Sequence, residues 1–348
     1  MSRIALLTEC RVYNEQRNFE EQLIAVGGNT GNNAYVTALK DIFGAEHVNY
    51  GQLDKVLSED RYDIYIVGNL SWIVENSELP SFYHEAFRKI ISKGKRFVPI
   101  SVGTQVVDYK SDFKYHPNTL KLLKDINEQA IIACRGEYTL ELLHKNGIKN
   151  AEAVGCPSLF HTKDYKFKVN KRNKLRKNAF VATGITPWAS KHLSIDKIKE
   201  FFMYAKRNNV DFIEQANTKW IEHITKLDKQ FSNELLSYLD KNNKIFFNIE
   251  EWRDYSRELD FTFGGRFHGN VIPLLEGVPA LFITIDARTR EMTEYLKLPS
   301  IDIRDFKFDM SIEQLYDLTD YTKFNSSYTD LYIKFERLAN KNGLWINY

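Results

Sequence analysis

Residues 261–285 read FTFGGRFHGNVIPLLEGVPALFITI, and this stretch decides the fold. Phe261–Phe263 is a short apolar strand that stops at Gly264-Gly265, Gly269–Glu276 carries a helical pattern, and Ala280–Ile285 is a second apolar strand. Strand, helix and strand in so few residues make a βαβ unit, the building block of parallel sheets buried on both faces.

The same rhythm runs outward in both directions. In the first half, strands are expected at Arg3–Leu7, Asp63–Gly68, Arg96–Val102, Ala130–Cys134 and Ala151–Val154. Helices are expected near Asn33–Phe43, Ser81–Ser92, Thr119–Ile126 and Glu137–Lys145, the last stopped by Asn146-Gly147. In the second half, strands are expected at Ala179–Thr183, Phe212–Gln215 and Ile245–Ile249, besides those of the opening stretch. Helices are expected near Ile195–Arg207, Asn233–Leu239 and Arg290–Leu296. An alternation repeated this way predicts an α/β protein of two Rossmann-like, doubly wound domains facing a cleft. We place the first at 1–165 and the second at 175–325. A C-terminal helix over 326–348, with Leu331, Phe335 and Leu338 on one face, is available to brace the first domain.

A chain of 348 residues suits two cores better than one. Its 43% hydrophobic and 27% charged residues are ordinary for a globular protein. A net charge of +2 argues against a nucleic-acid binder running on bulk electrostatics. The N-terminal apolar run is broken early by Glu9 and Arg11, unlike a signal peptide, and no apolar stretch approaches bilayer length. Cys10, Cys134 and Cys156 form no CxxC, so a reduced, cytoplasmic setting without a cysteine zinc site is expected.

The chemistry is concentrated where the first strand of the opening stretch meets its helix. A helix start presents free N–H groups and the positive end of its dipole, which suits an anion. Arg266 adds a planar donor fork, and His268, two residues on, is able to give or take a proton near neutral pH. Gly265 and Gly269 flank them. The bland alternative is a capping loop with one buried histidine. Further along, Asp286, Arg288 and Thr289 follow a strand at its C-terminal end, where ligands of open α/β sheets gather. Gly184, in ATGITPW (182–188), either lets backbone approach a ligand or makes a turn. In GGNTGNN (27–33), Asn29, Asn32 and Asn33 offer more donors than one cap requires. Asn69 and Trp72, after the strand DIYIVG, have the chemistry to meet a sugar. There is no P-loop, no HExxH, no Gly-x-Ser-x-Gly elbow and no Asp-x-Asp, so no metal is called for.

Gly-Arg-Phe-His-Gly followed by LLEGVPALFITID (274–286) resembles the C-terminal signature of the polysaccharide pyruvyl transferases. Three more segments are similar to the family's motifs and fall in order: GGNTGNNAYVTALKDIF (27–43), ACRGEYTLELLHKNGI (133–148) and VGCPSLF (154–160). The resemblance implies a B-type glycosyltransferase-like shape, with the site in the cleft between the domains. It implies phosphoenolpyruvate as donor substrate, a sugar or lipid-linked oligosaccharide as acceptor, and a pyruvate ketal with free phosphate as products. No cofactor is implied. By motif position, the donor-binding groups fall on Arg135, Arg266 and His268. Asn32 stands where the family usually has Asp, and SVGTQ (101–105), with Gln105, replaces a more glycine-rich turn. The rival readings are a metal-independent nucleotide-sugar glycosyltransferase of the same shape and a non-catalytic glycan-binding relative. The basic stretch KDYKFKVNKRNKLRKN (163–178) reads as a solvated linker or as a surface for anionic headgroups at the inner face of the membrane.

Overall fold

Strands that are buried on both faces must be apolar along their whole length, and two segments set that pattern here. All four residues of Ile64–Val67 and of Phe261–Gly264 are buried. In the computed structural model, which describes residues 2–68, 70, 73–186, 193–216 and 229–348, each lies in the interior of its own parallel sheet.

The N-terminal sheet has the order β2-β1-β3-β4: β1 is Ile4–Thr8, β2 Glu46–Asn49, β3 Ile64–Val67 and β4 Arg96–Pro99. A parallel bridge between Val102 and Cys134 continues it to the pair β5 (Ile132–Cys134) and β6 (Ala151–Ala153). Helices α1 (Phe19–Ala25), α2 (Asn32–Phe43), α3 (Leu53–Ser58), α4 (Ser81–Ser92), α5 (Pro117–Asn127) and α6 (Glu137–Lys145) belong to this half. The C-terminal sheet has six parallel strands, ordered β12-β11-β10-β7-β8-β9. They are β7 Val181–Gly184, β8 Asp211–Ile213, β9 Asn243–Lys244, β10 Phe261–Gly264, β11 Ala280–Thr284 and β12 Ser300–Asp302. With them run α7 (Ile195–Arg207), α8 (Lys229–Asn242), α9 (Ile249–Arg257), α10 (Phe267–Leu275), α11 (Ala287–Leu296) and α12 (Ile312–Asp317).

Both orders are doubly wound, and each reverses direction once: between β1 and β3, and between β7 and β10. Crevices at such reversals, outside the carboxyl ends of the strands, are where open α/β sheets bind ligands. The fold is therefore two Rossmann-like domains of the B-type glycosyltransferase kind.

Helix α13 (Thr322–Lys341) ties the halves together. At its start the Tyr321 hydroxyl bonds the backbone of Ala280 in the C-terminal sheet. Farther along, Phe335 stacks on Phe160 at 4.8 Å, and just past its end Asn342 bonds both backbone groups of Ile131 in the N-terminal half.

The strand expected at Ile245–Ile249 is not formed. Strand β9 stops at Lys244, and Asn248 instead caps α9, accepting from the Glu250 N–H at 2.9 Å. The apolar run feeds a helix because Phe246 packs on Trp252, buried one turn into α9. Helix α10 begins at Phe267 and α11 at Ala287, each earlier than the apolar pattern indicates; the start of α11 is set by the Asp286 side chain, which accepts the Thr289 N–H.

Candidate functional site

The reversal between β7 and β10 builds the site. Gly264 ends β10 so close to β7 that a Cβ there would lie 2.3 Å from the Gly184 carbonyl oxygen, and its φ of 154° suits only glycine. The Gly265 N–H donates to that carbonyl at 2.8 Å. Arg266 then turns the chain into α10 without offering a side-chain cap, and among the described residues no other side chain accepts from the first-turn N–H groups. Asn270 fixes the turn, its Nδ2 donating to the carbonyls of Gly264 (2.8 Å) and Arg266 (3.3 Å).

A cleft of about 260 Å³ opens above this turn and is lined by both halves. The N-terminal half contributes Asn29, Asn32, Tyr35, Gln105 and Arg135; the C-terminal half contributes Gly265, Arg266, His268 and Arg288, with Thr186, Gln215 and Met292. Arg135 and Arg266, far apart in sequence, thus share one hollow.

The cations in it are not equivalent. Arg135 follows β5 and is only 4% exposed. Its Nε–H donates to the Ser101 hydroxyl (2.8 Å) and carbonyl (3.1 Å), while its terminal nitrogens have no protein partner among the described residues. Ser101 adopts φ 69°, a conformation non-glycine residues seldom take. Burial lowers the guanidinium pKa, and among the described residues no carboxylate forms an ion pair with it. Arg288, in the first turn of α11, lies 3.6 Å from an Asp286 carboxylate oxygen and is 29% exposed. Arg266 differs. It is in a buried ion pair with Glu214, at 2.5 Å, and the same carboxylate oxygen accepts the N–H groups of Gln215 and Ala216. Arg266, expected as a donor-binding residue, lines the cleft with one arm of its fork held by Glu214.

His268 is partly buried in the first turn of α10. Its Nε2 lies 3.5 Å from the Cys156 Sγ, which in turn contacts the Ser158 hydroxyl at 3.0 Å. Burial first, then the charges of Arg135 and Arg288, push the imidazole down to about 3. It is neutral at pH 7, which corrects the expectation of a group titrating near neutrality in the free protein.

Other expected residues divide. Asn29 and Asn32 line the cleft while bracing their own turn, Asn29 accepting from the Gly31 N–H and Asn32 donating to the Val26 carbonyl, each at 2.9 Å. Asn33 points away, its amide donating to the Phe247 carbonyl at 2.8 Å across the halves. Thr289 is consumed in a capping box with Asp286 and does not line the cleft. Gly184 and Gly269 act by close packing beneath the cleft. Asn69 and Trp72 lie outside the described residues. Sequence reasoning missed Glu214, Gln215, Tyr35 and Cys156. The placement of Glu214 and Gln215 at the carboxyl end of an expected strand was the available signal.

One more buried carboxyl joins the halves beside the cleft. Glu291 of α11 accepts the Thr139 N–H and hydroxyl, each at 2.9 Å, capping α6 from the other domain. Burial raises its pKa from 4.5 to about 7, against the pull of Thr139 and Arg135. Because the folded value exceeds the unfolded one, its contribution to stability is whole below about pH 4.5 and is lost as pH rises through about 7. A shift of that size is worth on the order of 3 kcal/mol. Glu291→Gln is expected to melt higher than the wild type above pH 7 and to match it at pH 5. Melting curves at the two pH values check this; a constant difference between the proteins would count against it.

Two doubly wound halves facing a cleft define a protein of B-type glycosyltransferase architecture. The chain belongs to the polysaccharide pyruvyl transferase family, whose model matches residues 15–287. Solved structures similar to it include S. aureus MnaA with UDP, at 10% identity over 95% of this chain and 90% of that one, with a TM-score of 0.49. The UDP-GlcNAc 2-epimerase of Methanocaldococcus jannaschii is 13% identical over 90% of each chain, with a TM-score of 0.48. Anabaena HepE with UDP and glucose is 11% identical over 99% of this chain and 98% of that one, with a TM-score of 0.48. A comparison with curated proteins finds no match.

Proposed function

We propose that this protein transfers the pyruvyl group of phosphoenolpyruvate to two hydroxyls of a sugar, forming a ketal and releasing phosphate. The observation that carries the reading is that Arg135, with no carboxylate partner among the described residues, and Arg288, with Asp286 only at 3.6 Å, line one cleft from opposite halves beside the start of α10. A small donor with a phosphate and a carboxylate needs two such anchors in a water-poor cleft. The carboxamides of Asn29, Asn32 and Gln105 on the N-terminal wall suit the hydroxyls of the acceptor.

The chemistry follows from the charges. Burial first, and then Arg135 and Arg288, depress His268; a bound dianion offsets the two charges, so the imidazole gains proton affinity as the donor arrives. A proton delivered to the enol carbon creates an oxocarbenium-like centre, which one sugar hydroxyl attacks, releasing its proton. A second hydroxyl then displaces phosphate, which leaves with the C–O bonding pair and takes up the proton that this hydroxyl releases. Under this reading the C-terminal half, 175–325, carries most of the donor site, and the half before 165 carries the acceptor site. The exposed lysines and arginines of 163–178 are suited to an acceptor held on an anionic membrane surface; within that stretch, Arg176 is paired with Asp260 and Lys171 lies over Tyr316. Among the described residues no helix is long and apolar enough to cross a membrane.

The test is phosphate release from phosphoenolpyruvate with a panel of lipid-linked and free glycans, beside calorimetric binding of phosphoenolpyruvate and UDP. Release that depends on a glycan, with phosphoenolpyruvate bound, is expected. Binding of UDP without phosphoenolpyruvate would transfer the chain to the nucleotide-sugar enzymes.

A further inference from the structure

We infer that Gln215 is a donor-contacting residue: its carboxamide supplies a neutral hydrogen bond to an oxyanion held at the start of α10. The inference rests on the reading of the cleft as an anion site, and it adds a residue that the family motifs in this chain do not contain.

Gln215 follows Glu214 beyond the carboxyl end of β8 and is 2% exposed, yet it borders the cleft. Its backbone carbonyl accepts the Thr30 N–H at 2.7 Å, which fixes the residue against the turn before α2. The side chain then lies between the starts of two helices. A Cβ on Gly31 would sit 2.3 Å from its Oε1, and one on Gly269 would sit 2.8 Å from its Nε2. Gly31 and Gly269 do not have positive φ, so their backbones do not demand glycine. What excludes a side chain at both places is the amide itself. Glycine in a helical turn costs about 1 kcal/mol relative to alanine, and the amide occupies the space thus left.

Among the described residues the Nε2 group has no hydrogen-bond partner. A buried donor left unsatisfied is costly, and this one lies beside other donors: the first-turn N–H groups of α10, which Arg266 leaves uncapped. Donors that converge without an acceptor describe the negative image of an oxyanion. Arg135 and Arg288 line the same hollow and supply the charge, while the amide supplies direction. A neutral donor here binds the anion without adding a third cation beside His268.

Calorimetric titration of the full chain with phosphoenolpyruvate tests the assignment. Gln215→Met keeps the volume between the two glycines and removes the donor; it is expected to weaken binding by about tenfold or more, as for a hydrogen bond to a charged group. Gln215→Glu, which sets a carboxylate against the anion, is expected to weaken it further. Gly269→Ala keeps Gln215 and displaces its amide, and is expected to weaken binding in the same direction; it serves as the readout if the methionine variant does not fold. Wild-type affinity in Gln215→Met or, failing that variant, in Gly269→Ala overturns the assignment. If the wild type binds UDP and not phosphoenolpyruvate, the pyruvyl-donor reading falls and the same variants decide the role of Gln215 on UDP. If the wild type binds neither, both fall.

Discussion

Arg135→Met is expected to abolish measurable binding of phosphoenolpyruvate and to lower kcat/KM by about 10²–10³, while the protein melts no lower than the wild type. The rate estimate is that for removing one preorganised donor from a water-poor site. The stability estimate comes from the geometry. Arg135 is a buried cation held by a hydroxyl and a carbonyl of Ser101, with no carboxylate bonded to it among the described residues. Desolvation works against its charge in the free protein, so an apolar side chain of similar length removes a cost along with two hydrogen bonds. A residue whose loss spares the fold and removes the function is held for its ligand. Arg135→Lys is not expected to rescue, because an ammonium cannot both reach Ser101 and present a flat fork to an oxyanion. A second measurement is independent of turnover. Arg135 is the larger of the two charges that depress His268, so in Arg135→Met the imidazole should titrate higher than its value of about 3. An NMR titration reads that shift directly. Retained donor binding, or an unmoved imidazole, would refute the placement of Arg135 at the centre of the anion site.

The outline of the fold was legible because buried parallel strands must be apolar from end to end, as Ile64–Val67 and Phe261–Gly264 are. Edge strands escape that rule. Glu46–Asn49 and Ser300–Asp302 are polar and partly exposed, and nothing in their spacing marks them. Short helices such as Ile249–Arg257 hide for another reason: the cap that starts them, Asn248, interrupts an apolar run that imitates a strand. The cleft was legible where local rules apply. A strand stopping at two glycines before a helix locates Arg266 and His268 without any long-range information. What sequence does not carry is pairing. Glu214 lies 52 positions from Arg266, and only the adjacency of β8, β7 and β10 brings them into contact. Thr289 has the right place and the right chemistry for a ligand, but its hydroxyl and N–H are drawn into the backbone around Asp286. Asn33 likewise faces the opposite half because helix geometry turns successive residues to different sides.

Arg266→Ala is expected to behave unlike Arg135→Met, losing about 3–5 kcal/mol of stability together with its activity. The partner left behind, Glu214, is fully buried, and removing one member of a buried ion pair strands the other charge. Two backbone N–H groups still reach that carboxylate, from Gln215 and Ala216, but they do not neutralise it. Glu214→Gln should therefore recover much of the loss when combined with Arg266→Ala, since the amide needs no counter-charge. Urea unfolding of the two single variants and the double variant gives the coupling energy directly. A double variant markedly more stable than Arg266→Ala alone is expected. Additive losses would show that Glu214 does not hold Arg266, and the guanidinium would then be free to bind the donor, as proposed for Arg135. The contrast separates two arginines that the motifs treat alike. Among the described residues the first has no carboxylate partner, whereas the second lines the same cleft already paired with Glu214.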